Sequence, residues 1–96
     1  MKLKKRFFVI AYDVRDDKRR TKVVKVLEHY GIRVNFSVFE CVMTLSQYKL
    51  MKDKLREVSD AKEDHILIYP LCIDCFSKIE AVAGLLPASG GVVNVI

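Results

Sequence analysis

The run RFFVIAYDV, residues 6–14, constrains this chain more than any other stretch. Apolar side chains follow one another in it almost without interruption, so neither face suits water. A segment this short that closes on an aspartate reads as a β-strand buried on both faces. Asp13 then sits near the carboxyl end of that strand. No apolar run approaches the roughly 20 residues that a membrane-spanning helix requires.

The rest of the chain can be ordered around this strand. Over residues 18–30, Val23, Leu27 and Tyr30 recur at helical spacing and Val24 and Val26 widen the stripe; Asp16 or Asp17 is the natural N-cap, and Gly31 the left-handed C-cap. VNFSVFECVM alternates through Val34, Phe36 and Val38, which predicts a second strand from about residue 33 to 42. Thr44 with Gln47 forms a capping box, with Met43 placed to staple onto Tyr48. The helix that follows carries Tyr48, Met51, Leu55 and Val58 on one face and Lys49, Lys52, Asp53 and Arg56 mostly on the other. HILIYPL reads as a strand closed by Pro70, CIDCFSKIEAV as a short helix, PASGG as a break and VVNVI as a last extended segment. The expected fold is α+β, a single ferredoxin-like βαββαβ domain over residues 1–96 with an extra C-terminal strand.

That last strand would leave Val92, Val93, Val95 and Ile96 as an apolar, uncharged edge, an invitation to aggregation. Pairing it with a second copy removes the edge, so a two-fold homodimer that exchanges residues 85–96 is expected.

Charge is distributed unevenly. The net charge is +5, but residues 1–33 hold eleven basic and four acidic side chains, whereas residues 34–96 hold six and eight. Such asymmetry favours a polyanionic partner; a merely solvated basic face is the alternative. Cations in the first turn of a helix oppose its macrodipole, so local stability does not explain Lys18, Arg19, Arg20, Lys22 and Lys25. Clustered beside free backbone N–H groups, they read as a site for nucleic-acid phosphates. Asp13 reads as a hard oxygen ligand for Mg²⁺ or Mn²⁺, with a second Asp13 supplied by two-fold symmetry. The other reading of Asp13 is an Asx-type turn or a cap for the following helix.

Weaker signals carry ordinary readings. Cys72 and Cys75 in CIDC have the spacing of a zinc or redox pair but lack a second pair, so packing and turn formation is the default. His29 reads as a surface residue and His65 as the ordinary start of a strand. Tyr48 and Tyr69 read as core residues with a polar tip. Phe8 and Tyr12 share a sheet face too apolar to be an open base-stacking platform. Three cysteines, the absence of a signal-peptide pattern in residues 1–25 and the lack of a membrane span point to a reducing cytoplasm.

YDVRDDKRRTKVVKVLEHYGIRVNFSVFEC, residues 12–41, resembles the signature of the CRISPR-associated protein 2 family, and the later order of a helix, ILIYPLC, a further cysteine and a short terminal strand is similar too. The resemblance implies a ferredoxin-like homodimer in CRISPR adaptation, with Asp13 and its symmetry mate bracketing one divalent metal. It implies nuclease activity on RNA or DNA phosphodiesters or, alternatively, a non-catalytic scaffold between dimers of the CRISPR-associated protein 1 integrase that grips DNA during spacer acquisition. By the same resemblance Tyr12 precedes the metal aspartate, Arg20 is the arginine after the acidic pair, Arg33 opens strand two, and Ser37 and Phe39 belong to the SVFE element. Lys22 stands where arginine is often found and Asn35 where glutamine is common. The chemistry so implied is attack of a metal-activated water on phosphorus, with Arg20 or Arg33 holding the flanking phosphates.

Overall fold

A computed structural model describes residues 4–86, in the order β1 (Lys5–Asp13), α1 (Asp17–Tyr30), β2 (Gly31–Asn35), β3 (Val38–Thr44), α2 (Leu45–Val58), β4 (His65–Leu71) and α3 (Ile73–Ser77). The apolar strand β1 lies inside the sheet, antiparallel to β3 on one side and β4 on the other, with β2 beyond β3. This is the expected α+β, ferredoxin-like βαββαβ arrangement. The expected terminal strand VVNVI lies outside the described residues.

Alternation along β1 divides its side chains between two environments. Phe8, Ile10 and Tyr12 meet Val23 and Leu27 of α1, Met51 and Leu55 of α2, and Phe39, Cys41 and Met43 of β3 in the main core. The helices begin where their caps predict: Asp16 accepts from the Arg19 N–H at 2.9 Å, and Thr44 and Gln47 close their box with bonds of 2.9 and 3.2 Å. Tyr48 stacks on Phe8 with ring centroids 4.7 Å apart.

The other face of β1 is less covered than its apolar run suggests. Phe7 packs on Phe76 of α3 at 4.5 Å, but Val9 and Ala11 are only half-buried. Both long helices lie on the opposite side of the sheet. Ile32, Val34, Leu67 and Tyr69 are therefore exposed on this face, Leu67 by 57% and Tyr69 by 51%. Tyr69, expected in the core, faces outward because its register partner is Val9 and not one of the inward residues of β1.

Three further expectations change. The stretch read as one strand from residue 33 to 42 is a hairpin that turns at Phe36 and Ser37, with Asn35 Oδ1 accepting the Phe36 N–H at 2.7 Å. Asn and Ser are turn formers, and a side-chain bond of this kind substitutes for a ladder bond. Gly31 is extended and not left-handed. What it needs is space, since a Cβ there would run into Cys41 Sγ and the Glu40 carbonyl. Pro70 does not close β4 but lies within it opposite Phe8, tolerated because β4 is an edge strand. No helix among the described residues is long and apolar enough to cross a membrane.

Candidate nucleic-acid interface and metal site

One end of the sheet gathers most of the residues singled out by the sequence. Asp13 ends β1, Arg15 follows it, Arg20 reaches back from α1, Arg33 stands on β2, and Phe36 and Ser37 form the hairpin turn. Together with Tyr12 and Val14 they line an open cleft of about 500 Å³.

Tyr12 organises this end of the molecule. Its buried hydroxyl donates to the Phe36 carbonyl at 2.8 Å and accepts from Arg33 Nη2 at 2.9 Å, while its N–H donates to the Ser37 carbonyl at 3.0 Å. The Arg33 guanidinium also lies 5.8 Å from the centre of the Phe39 ring, a cation–π distance, and Phe39 itself is fully buried against Tyr12. With its hydroxyl occupied in both directions, Tyr12 acts by positioning the turn and Arg33. Phe39 supports from beneath.

Asp13 is exposed, and its carboxylate has no hydrogen bond or ion pair among the described residues. Register places His65 of β4 directly opposite it, on the same sheet face. The sequence marks His65 only as the start of a strand, because nothing local tells which residue a strand will face. Among the described residues no group of three or more His, Cys, Asp or Glu side chains gathers to hold a metal. Among the described residues Asp13 is the one carboxylate that lines the cleft; Mg²⁺ and Mn²⁺ take one or two such hard ligands and keep several waters.

The basic cluster of α1 separates into three parts. Arg20 bends back, donating from Nη1 to the Val14 and Arg15 carbonyls at 3.1 and 3.2 Å and pairing with Asp17 through Nη2, yet its side chain stays 43% exposed in the cleft. Arg19 turns away. Its Nε and Nη2 donate to Asp64 at 2.9 and 3.1 Å, so the structure gives this expected phosphate contact an internal partner. Lys18, Lys22 and Lys25 recur at i, i+4 and i+7, on the exposed side of α1 away from Val23 and Leu27.

Asp64 escaped sequence reasoning, since it lies 45 residues from Arg19 in an ordinary polar loop. Its side chain is 2% exposed and also accepts the Asp60 N–H at 2.8 Å. The Arg19 hydrogen bonds, then the Asp60 amide, hold its carboxyl below the ordinary value of 3.8. Of the cysteines, Cys72 caps α3, its Sγ accepting the Cys75 N–H at 3.2 Å, which lowers the thiol's pKa. Burial pushes the Cys41 thiol up to about 12, making it a packing residue.

Residues 6–79 match the family described as CRISPR associated protein Cas2. The chain is 44% identical over 77 residues to the CRISPR-associated endoribonuclease Cas2 1 of Chloroflexus aurantiacus, covering 79% of this chain and 83% of that relative. It is 39% identical over 67 residues to the CRISPR-associated endonuclease Cas2 2 of Thermus thermophilus, covering 70% of this chain and 74% of the relative. Among solved structures, it is similar to a chain of a partial Cas6-RT-Cas1–Cas2 complex, with a TM-score of 0.73, 31% identity and coverage of 86% of this chain and 97% of that one. A match over most of the chain establishes that the chain belongs to the CRISPR associated protein Cas2 family.

Proposed function

We propose that the protein is a CRISPR adaptation protein that works as a homodimer, binds the backbone of RNA or DNA, and hydrolyses phosphodiester bonds at Asp13 with a bound Mg²⁺ or Mn²⁺. The observation that carries this reading is the meeting in one cleft of the unpaired Asp13 carboxylate, the exposed Arg33 guanidinium and the half-buried Arg20. Asp13 and Arg33, not neutralised by one another, suit a ligand that is both anionic and metal-bound. The endoribonuclease and endonuclease names of the relatives support it.

In this reading Arg33, held by Tyr12 and Phe39, and Arg20, held by the β1–α1 loop, fix phosphates on either side of the scissile bond. Fixed cations need little rearrangement as charge develops on phosphorus. Asp13 of each chain holds the metal, which when bound supplies an activated water and neutralises phosphoryl oxygens. Leu67 and Tyr69, large apolar side chains exposed together on β4, support dimerisation, since exposed apolar surface marks an interface. Lys18, Lys22 and Lys25 extend the basic surface along α1.

A second reading, a non-catalytic scaffold partnered with the CRISPR-associated protein 1 integrase, is favoured by the likeness to a chain of a Cas1–Cas2 assembly. Asp13→Asn separates the two. Loss of metal-dependent cleavage of RNA and DNA probes, with nucleic-acid binding retained, supports hydrolysis. Absence of cleavage by the unaltered protein in Mg²⁺ and in Mn²⁺, with integrase assembly unchanged by Asp13→Asn, supports the scaffold.

A further inference from the structure

Phe36 is 91% exposed, although the sequence places it in an alternating apolar strand. A ring so exposed adds nothing to the core, and it stands on a rigid mount. The Tyr12 hydroxyl holds the Phe36 carbonyl at 2.8 Å, Asn35 Oδ1 holds its N–H at 2.7 Å, and the Tyr12 N–H holds the next carbonyl at 3.0 Å. The phenol that fixes Phe36 also orients Arg33, so one side chain sets the ring relative to a cation of the cleft. Arg20 and Asp13 line the same cleft.

We infer that Phe36 is a stacking platform for an unpaired nucleobase whose flanking phosphates lie on Arg33 and Arg20. The inference rests on the proposed backbone-binding role of the cleft and adds to it the residue that meets a base. An aromatic face beside fixed cations is the combination by which single strands are held without base-edge readout, because every base has a π-face and every nucleotide a phosphate. In a closed duplex the internal bases are already stacked, and the ring has none to meet. A pre-ordered turn reduces the conformational entropy lost when the base docks.

Fluorescence anisotropy in EDTA, which prevents cleavage, tests this with three probes of equal length: a mixed-sequence single strand, the same backbone built from abasic nucleotides, and a blunt duplex. Phe36→Ala is expected to weaken binding of the base-bearing strand about ten-fold. It should leave the abasic strand, the duplex and the salt slope unchanged, and Phe36→Trp should retain the single-strand affinity. Equal losses on strands with and without bases, or no loss at all, would overturn the inference. So would a shift of Phe36→Ala toward monomer in sedimentation, which would assign the ring to contact with a second copy. A different result marks failure of the underlying cleft reading: the unaltered protein binds none of the probes, or Arg20→Ala and Arg33→Ala leave the salt slope as it was.

Discussion

Arg19 and Arg20 are adjacent in the chain and belong to regions built on opposite terms. Where α1 meets the loop before β4, Arg19 and the enclosed Asp64 carboxylate satisfy one another, with the Asp60 amide completing the arrangement. At the cleft, Arg20 and Arg33 are fastened by their neighbours but stay open to solvent, and Asp13 has no partner among the described residues. The first region spends its charge inside the fold, binding α1 to the loop before β4. The second keeps charge available at Arg33 and Asp13 and holds Arg20, paired with the exposed Asp17, at the mouth of the cleft, with the protein supplying orientation. Charge density along the sequence cannot separate these, because both regions draw on the same acidic and basic run.

The contrast is tested most severely at Asp13. Asp13→Asn should reduce metal-dependent cleavage on the order of 100-fold or more while leaving Tm unchanged; a fall in Tm would mean that the cleft, too, serves stability. The next effect belongs to the closed corner. Asp64→Asn should lower Tm more than any substitution of Asp13, Arg20 or Arg33, because it leaves the Arg19 guanidinium without its carboxylate. The same pair has a defined pH signature. The folded carboxyl of Asp64 is held below 3.8, so its contribution is fully present above that value and is lost as pH falls through the folded pKa. Acid denaturation of Asp64→Asn should lack that part of the pH dependence.

Tyr12→Phe examines the boundary between the two designs, since it removes a buried hydroxyl that serves the cleft. About 1–2 kcal/mol of stability should be lost in urea unfolding, together with part of the nucleic-acid affinity as Arg33 and the hairpin turn loosen. Smaller still, Arg20→Ala and Arg33→Ala should each reduce the slope of log affinity against log salt by about one. Arg19→Ala should leave the slope alone and lower Tm instead. If Arg19→Ala reduces the slope as the others do, the division between closed and open charge fails.

Much of the fold was legible because its signals are local. Asp16 and Arg19, or Thr44 and Gln47, lie within one helical turn, so their caps can be read from spacing. The failures fall where a local pattern had two solutions. Val34, Phe36 and Val38 alternate like a strand, yet the chain turns there, and the bonds that tie the turn to the sheet come from the Tyr12 hydroxyl and N–H, more than 20 residues away. A glycine after a helix suggests a left-handed C-cap, whereas the role of Gly31 depends on the approach of β3. At the site, resemblance marked Tyr12, Asp13, Arg20, Arg33, Ser37 and Phe39, but not the difference between those that face the cleft and those that hold others in place.

Residue order by itself determined the central strand, both long helices with their N-caps, the basic character of the amino-terminal third, and the family signature between Tyr12 and Cys41. These depend on periodicity, capping and composition, which act over a few residues. Tertiary structure alone decided that Arg19 meets Asp64, that His65 stands opposite Asp13, that Tyr69 faces outward and that Phe36 leaves the core. The first three follow from strand register or from the docking of α1 on the sheet, and the last from the hairpin turn that Tyr12 holds. A shift of one residue in register exchanges the two faces of a strand, so which side chains share a site is known only once the sheet is assembled.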